Sequence, residues 1–331
     1  MFDADGVRIR KSSSDIFTDY KILDLDRTPQ GFGENTTDYS HTYNWLLSEI
    51  TRTNKKKIII CKKGEVFGID VFTREILNSL LENCGDKEIV LVFNDYQEFD
   101  LPVKLVYDLS WWSDVLIQNS NHLSEIKNIG NNQRTKIFLS RNNKEKDFRV
   151  EWIKYLDKNN LKKDGYVSEV WNKVYIEKIL PDDIIIDNEI NFNWTYNNDI
   201  NLINNYNDVF CEVVIESEYN VPIYGFWTSE KSWRPFLFCV IPMIISFKNW
   251  DYYLKDAGFD LFDDVIDTSF YHTDNLQKKF SIIKDNFEII RNDLTIESKF
   301  KDDIFLRLKK NQSHFLNHDN YVNYLKERIY G

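Results

Sequence analysis

Two short polar groups in the second half of the chain combine residue types that could bind a phosphorylated and hydroxylated ligand. Glu216-Ser217 directly follows the apolar run Val209–Ile215, and Thr228-Ser229-Glu230-Lys231 follows about ten residues later. Carboxylates can accept hydrogen bonds from sugar or ribose hydroxyls, whereas a lysine is a point charge suited to phosphate. A diphosphate that carries sugars at both ends would satisfy both groups, so this stretch is the first candidate site.

The lysine-bearing group is expected to open a helix. Thr and Ser are good helix N-caps, and Glu230 in the first turn suits the helix dipole. Pro235 is tolerated only in a first turn, so the helix is expected to begin, or restart, near Ser232. The mouth of such a helix, with Lys231 beside it, can bind an anion. The alternative is that Thr228, Glu230 and Lys231 only cap a helix.

Both groups flank predicted strands of a parallel sheet. The run Val209–Ile215 is typical of a strand buried on both faces. Pro242 is expected to interrupt the secondary structure, and Met243–Phe247 is predicted as the next strand. Open α/β sheets bind ligands outside the carboxyl ends of their strands, which is where Glu216 lies. The candidate groups are therefore expected at the ligand-binding rim of a sheet.

A second cation is predicted at the same rim. The strand Lys136–Leu139 leads into Ser140-Arg141-Asn142, and a helix is predicted at Asp147–Asn159. An arginine at the end of a strand could hold a phosphate by a fork of hydrogen bonds. The alternative for Arg141 is a solvated turn residue.

The order of these motifs resembles a known family. Glu216-Ser217, then Thr228-Ser229-Glu230-Lys231, then Val240-Ile241-Pro242 looks like the donor-binding half of fucosyltransferases and related glycosyltransferases of the GT-B type. Segments 137–149 and 250–267 resemble a viral and bacterial glycosyltransferase group, so the likeness covers about residues 136–290. One departure is an extra serine, because the usual T-E-K is T-S-E-K here. That serine leaves open whether Thr228 or Ser229 faces the ligand.

The resemblance implies a nucleotide-sugar donor, a glycan or other hydroxyl acceptor, and no metal or other cofactor. It implies donor-binding roles for Arg141, Glu216, Ser217, Thr228, Ser229, Glu230 and Lys231. Lys231 and Arg141 are expected to neutralise the leaving diphosphate, and Glu216 to bind donor hydroxyls. The alternative function is a non-catalytic nucleotide-sugar or glycan-binding protein, such as a viral structural subunit.

The first half of the chain predicts a second α/β unit, because strands and helices alternate along it. Its helices are expected at Ser40–Arg52 and Phe67–Glu82, and its strands at Ile58–Cys61, Glu88–Phe93, Leu105–Tyr107 and Val115–Ile117. Residues 1–30 are expected to form an arm or hairpin before the fold.

The loops after these strands carry acidic residues that could deprotonate an acceptor hydroxyl. The candidates for this general base are Glu65, Asp70, Asp95 and Glu98. Each such residue is more often a helix cap or a solvated surface acid, and the sequence does not choose among them.

The chain length favours two domains. With 331 residues and 42% hydrophobic residues, each domain can bury its own core. We expect an α/β protein of two Rossmann-like domains facing across a cleft, the GT-B architecture. Residues 1–130 would form the acceptor-side domain, and residues 131–331 the nucleotide-sugar-binding domain with terminal helices at Asn275–Ile290 and Glu297–Arg328.

The charge and the distribution of apolar residues narrow the possible partners. A net charge of −11 disfavours broad nucleic-acid binding, although glycosylation of modified bases in viral DNA stays open. No apolar run of about eighteen residues and no secretory leader is visible, so we expect a cytoplasmic protein without a transmembrane segment, in the host cytoplasm if it is viral. The four cysteines stand singly and are expected to be buried free thiols.

Overall fold

The structure is a computed structural model of the chain. It describes residues 17–24, 40–62, 78–93, 95–96, 103–109, 112–113, 115–116, 119–142, 145–169, 172, 202–216, 226–227 and 229–331. The protein is α/β, with two four-stranded parallel sheets. It divides into two compact units. Unit 1 comprises Met1–Ser110, Val221–Trp227 and Leu325–Gly331, and unit 2 comprises Trp111–Asn220 and Thr228–Tyr324.

The sheet of unit 1 follows from alternating apolar runs and helices. Its strands are β1 (Tyr20–Asp24), β2 (Lys57–Lys62), β3 (Glu88–Phe93) and β5 (Lys104–Tyr107), in the order β1-β2-β3-β5. The short strand β4 (Asp95–Tyr96) pairs antiparallel with β9 (Phe226–Trp227). Helix α1 (Ser40–Arg52) is confirmed, and residues 78–82 of the predicted second helix are helical.

The core of unit 1 lies between α1 and this sheet. Leu46 and Ile50 on the apolar face of α1 share a buried cluster with Ile58 and Ile60 of β2 and Leu91 of β3. The apolar face predicted for α1 and the apolar residues predicted for the strands therefore pack together in one core.

The first strand corrects the prediction of an arm at residues 1–30. β1 pairs in parallel with β2, with Leu23 opposite Ile60, and Leu23 belongs to the core cluster. Tyr20 is also buried, between the rings of Phe17 and Tyr330. The mixed polar and apolar pattern of β1 concealed it, because only part of an edge strand is covered.

Unit 2 is built on the second parallel sheet. Its strands are β6 (Lys136–Ser140), β7 (Gly165–Val167), β8 (Val209–Ile215) and β10 (Ile241–Ile245), in the order β10-β8-β6-β7. Every residue of β8 is buried, as its apolar sequence predicts for a central strand. Because all pairings are parallel, the carboxyl ends of the four strands share one rim.

The strand β10 begins earlier than predicted. It starts at Ile241 and includes Pro242, which we expected to interrupt the secondary structure before the strand. β10 is an edge strand, and a proline is tolerated there because alternate N–H groups of an edge strand have no ladder partner. Single-sequence reasoning cannot tell an edge strand from a central one.

Unit 2 also contains a series of helices. They are α2 (Leu123–Lys127), α3 (Asp147–Lys158), α4 (Ile203–Asp208), α5 (Arg234–Leu237), α6 (Asp251–Asp256), α7 (Leu276–Ile289), α8 (Asp302–Leu316) and the first part of α9 (His318–Tyr330). The single helix predicted at Glu297–Arg328 is wrong. It is replaced by a hairpin of β11 (Thr295–Ile296) and β12 (Lys299–Phe300), then α8 and α9, with a break at Asn317.

Two further features of the predicted organisation differ. The strand expected at Val115–Ile117 is wrong, since residues 115–116 are helical. The units divide near residue 110 instead of 130, because α2 is fastened to α8: Gln312 donates to the carbonyl of Ile126 at 2.9 Å, and Lys309 to that of Lys127 at 2.8 Å. The prediction for the cysteines is confirmed, since all four are free and buried.

Candidate functional site

Glu216 joins the end of β8 to the turn that carries Lys231. Its side chain is fully buried, and its backbone N–H continues the ladder to the carbonyl of Ile245 at 3.0 Å. The carboxylate accepts from the N–H of Ser229 at 3.0 Å, from the hydroxyl of Ser229 at 2.6 Å and from the hydroxyl of Ser232. The predicted pair of motifs is therefore one hydrogen-bonded unit.

The extra serine of the T-S-E-K motif has a definite place in this unit. Ser229 is buried, and besides its bonds to Glu216 its hydroxyl caps the following turn by accepting from the N–H of Lys231 at 3.3 Å. Its side chain therefore faces Glu216. Thr228 lies outside the described residues, so its predicted contact with a ligand stays a prediction.

The predicted helix mouth is much shorter than expected. A single 3-10 turn, Glu230–Trp233, runs into α5, whose Pro235 lies in the first turn as predicted. The dipole of so short a segment is small because few peptide units are aligned. Attraction of an anion to this turn must therefore come mainly from side chains.

Those side chains form a compact charged cluster. One carboxylate oxygen of Glu230 lies 3.0 Å from Nζ of Lys231 and 3.7 Å from Nη2 of Arg234. Burial alone would raise the pKa of Glu230, but the charges of Lys231 and Arg234 outweigh it and lower this pKa to about 2. The carboxylate is thus ionised between two cations.

Sequence reasoning missed Arg234. The signal available was its position four residues after Glu230 and three after Lys231, because side chains at these spacings are neighbours on one face of a helix.

Arg141 lies just beyond β6, the neighbour of β8, but its charge is opposed. Its Nε is 3.4 Å from a carboxylate oxygen of Glu212, a buried acid within β8. The other oxygen of Glu212 accepts from the hydroxyl of Tyr206 at 2.8 Å, and the guanidinium lies 5.9 Å from the centre of that ring. The charge of Glu212 in an otherwise apolar run was the sequence signal for this pairing.

A second buried arginine supports the end of β8. Arg149 on α3 donates from Nη2 to the carbonyl of Ile215 at 3.0 Å. This bond holds the last residue of the strand directly before Glu216, so Arg149 helps to position the turn.

Several predicted site residues cannot be placed. Ser217, Glu65, Asp70 and Glu98 lie outside the described residues, and of Asp95 only its backbone in β4 is described. Their predicted roles stay predictions. The structure does bring Glu216, Ser229, Glu230 and Lys231 together in unit 2.

The described part of the chain shows neither a metal-binding cluster nor a helix that could span a membrane. No three of its histidine, cysteine, aspartate and glutamate side chains are grouped to hold a metal ion. None of its helices combines the length and apolar character that crossing a bilayer requires. Comparisons of the chain with protein-family models, curated proteins and solved structures found no match.

Proposed function

We propose that the protein is a metal-independent, fucosyltransferase-like glycosyltransferase that moves a sugar from a nucleotide-sugar donor to a hydroxyl acceptor. One observation carries the proposal: the Glu216 carboxylate fixes the charged turn of Glu230 and Lys231 to the carboxyl end of β8. That rim is where open α/β sheets bind their ligands.

In this proposal the turn stabilises the leaving group. Lys231 binds the diphosphate, whose charge grows as the bond to the sugar breaks. Glu230 accepts hydrogen bonds from ribose or sugar hydroxyls, while Glu216, enclosed by Ser229 and Ser232, positions the turn. Direct binding of donor hydroxyls by Glu216, expected from the sequence, thus gives way to an indirect role. Arg141 contributes to the site only if it leaves Glu212.

The remaining parts of the proposal follow from the resemblance. The protein is of the GT-B type, with the donor bound by unit 2 and the acceptor by unit 1. Unit 1 supplies the general base, with Glu65, Asp70 and Asp95 as the candidates. Ser217 and Thr228 contact the donor, the acceptor is a glycan or another hydroxyl compound, and the protein acts in the cytoplasm.

A thermal-shift panel of nucleoside diphosphates and nucleotide sugars in EDTA tests this function. We expect one nucleoside diphosphate to raise the melting temperature of wild type, and Lys231→Met to lose most of the shift. Lys154→Met is the matched control, because Lys154 forms an exposed pair with Glu151 on α3. No response to any member of the panel would overturn the proposal.

Two further outcomes test separate parts of the proposed function, its independence of metal and its catalytic activity. A shift that requires a divalent metal would contradict metal independence. Binding without release of nucleoside diphosphate from the bound sugar donor, across a panel of acceptors, would identify the non-catalytic binding protein instead.

A further inference from the structure

We propose that Arg234 is the second phosphate-binding side chain of this site, and that Lys231 and Arg234 together hold the two phosphates of a nucleoside diphosphate. This inference rests on the proposed function, because it assigns a ligand group to the same turn. It names a residue that the motif-based prediction did not include.

The backbone places the two cations side by side. Lys231 lies in the 3-10 turn, and Arg234 is the first residue of α5 directly after that turn. At this three-residue spacing, side chains at a helix start lie on neighbouring positions of one face. Both approach the same oxygen of Glu230, at 3.0 and 3.7 Å. The two nitrogens are therefore no further apart than the sum of these distances, a span that the outer oxygens of a diphosphate can bridge.

The burial of the cluster strengthens its attraction for an anion. The side chains of Lys231 and Arg234 are only 20% and 13% exposed, so water screens their charges weakly. Glu230 shows that an anionic oxygen is stable between them. An ammonium has three N–H donors and a guanidinium five, so each can bind phosphate while keeping its contact with Glu230.

Two cations of this turn approach one carboxylate. Lys231 and Arg234 both lie beside Glu230, and Arg141 lies beside Glu212. Glu216 adds a negative charge behind Ser229, whose hydroxyl is 3.4 Å from Nζ of Lys231. The oxygens of Glu216 accept hydrogen bonds from the hydroxyls of Ser229 and Ser232, so its negative charge is stabilised by residues of the turn.

The number of bound phosphates provides the test. Isothermal titration would measure the affinities of UDP and UMP, and of GDP and GMP, for the full chain in EDTA. We expect wild type to bind the preferred diphosphate at least about tenfold more tightly than the monophosphate. Arg234→Gln should weaken diphosphate binding by about tenfold to a hundredfold, the effect of one charge-assisted contact, and change monophosphate binding by less than about twofold.

The control and the rescue variant separate binding from folding. Arg291→Gln removes an arginine that pairs with Glu288 at the surface and should leave both affinities unchanged. Arg234→Lys keeps the charge but loses the guanidinium fork, so it should recover part of the diphosphate preference. If Arg234→Gln does not fold, Arg234→Lys decides: a reduced preference supports the inference, and an unchanged one overturns it.

The failure of this inference differs from failure of the proposed function. If wild type binds none of these nucleotides or any other of the panel, the proposed function fails and this assignment with it. If wild type prefers the diphosphate and Arg234→Gln keeps that preference, only the assignment of Arg234 is wrong.

Discussion

Glu216 is a buried carboxylate whose charge is satisfied by one N–H and two hydroxyls. Hydrogen bonds to a charged group contribute about 1.5–3 kcal/mol each, so this residue stabilises both the strand end and the turn. Its removal leaves the N–H of Ser229 and the hydroxyls of Ser229 and Ser232 without their acceptor. The side chain of Glu216 therefore stabilises the fold and also fixes the position of the turn that carries Lys231.

We expect Glu216→Ala to lower the free energy of unfolding by about 2–5 kcal/mol, and Glu216→Gln, which keeps the shape and one acceptor oxygen, by about half of that. Both variants should weaken nucleoside diphosphate binding, because the turn of Lys231 loses its support. Denaturant unfolding and titration measure these effects, with the surface variant Glu151→Ala as control. Normal stability and affinity in Glu216→Ala would contradict the positioning role.

A second test concerns the pH dependence of Glu216→Gln once activity is found. Because Glu216 positions the turn and takes no proton, the pH–rate profile with saturating donor should match that of wild type. Loss of the acidic limb, with donor affinity intact, would instead make Glu216 the general base.

The ionised state of Glu230 predicts how stability varies at acid pH. Its pKa is about 2 in the folded protein against 4.5 for an unperturbed glutamate, so the folded state favours the charged form. The resulting stabilisation, on the order of 3 kcal/mol, is present above pH 4.5 and is lost as the pH falls toward 2.

Glu230→Gln should therefore be less stable than wild type at pH 6, and the difference should shrink between pH 4.5 and pH 2. Urea unfolding at several pH values measures it, with the exposed Glu288→Gln as control. A difference that stays constant over this range would show that the charge of Glu230 does not stabilise the fold.

At the scale of elements, the close approach of β7 to the side chain of Phe138 on β6 leads to a prediction. An added Cβ at Gly165, the first residue of β7, would lie 2.5 Å from the ring of Phe138 on β6. That ring cannot withdraw, because it is fully buried and stacks on Phe287 with ring centres 4.7 Å apart. Gly165→Ala should cost about 1–3 kcal/mol of stability by overpacking.

Gly130→Ala is a useful comparison. The atoms nearest to a Cβ there belong to the side chain of Asn132, with its oxygen at 3.3 Å, and this exposed side chain can move. Thermal unfolding should show a clearly smaller loss for Gly130→Ala than for Gly165→Ala. Equal stability of both variants would mean that β7 can shift away from Phe138.

The sequence predicted the buried strands well because their signal is local. Apolar runs such as Val209–Ile215 and Glu88–Phe93 end where the structure ends them. The edge strands β1 and β10 were misjudged, because strand order depends on distant segments. The turn at Glu230 was predicted as a helix mouth because the same caps and proline open 3-10 and α-helices.

The sequence predicted which residues belong to the candidate site, but not which of them contact each other. The motif named Glu216 and Lys231, yet it could not show that Ser229 and Ser232 enclose Glu216, nor that Glu212 opposes Arg141. Arg234 was overlooked because only Lys231 was expected at the start of the helix, although the spacing of Arg234 from Glu230 also places it there.

At the scale of the whole molecule, the C-terminal residues complete unit 1. Leu325 and Ile329 are buried, Lys104 of β5 donates to the carbonyl of Ile329 at 3.4 Å, and Tyr330 stacks on Phe17 with ring centres 5.7 Å apart. The end of α9 thus packs in the unit that contains the first strand.

We expect Ile329→Ala to destabilise unit 1 by about 2–5 kcal/mol, because it removes a buried side chain. Limited proteolysis with identification of fragments should locate the new cleavage sites within Met1–Ser110. Ile296→Ala is the matched control: Ile296 is 62% exposed and its truncation should change stability by less than about 0.5 kcal/mol. Cleavage confined to unit 2 in Ile329→Ala would contradict this assignment.

The discontinuous make-up of unit 1 has a consequence for how the protein is synthesised. Domains commonly fold in order as the chain leaves the ribosome, with the N-terminal one first. Here β1 emerges before unit 2, but Tyr330, which covers Phe17 and Tyr20, is translated after unit 2. Unit 1 is therefore completed only after the residues of unit 2 have been translated, and until then Phe17 and Tyr20 lack the cover that Tyr330 provides. Exposed apolar surface of this kind favours binding of ribosome-associated chaperones during synthesis.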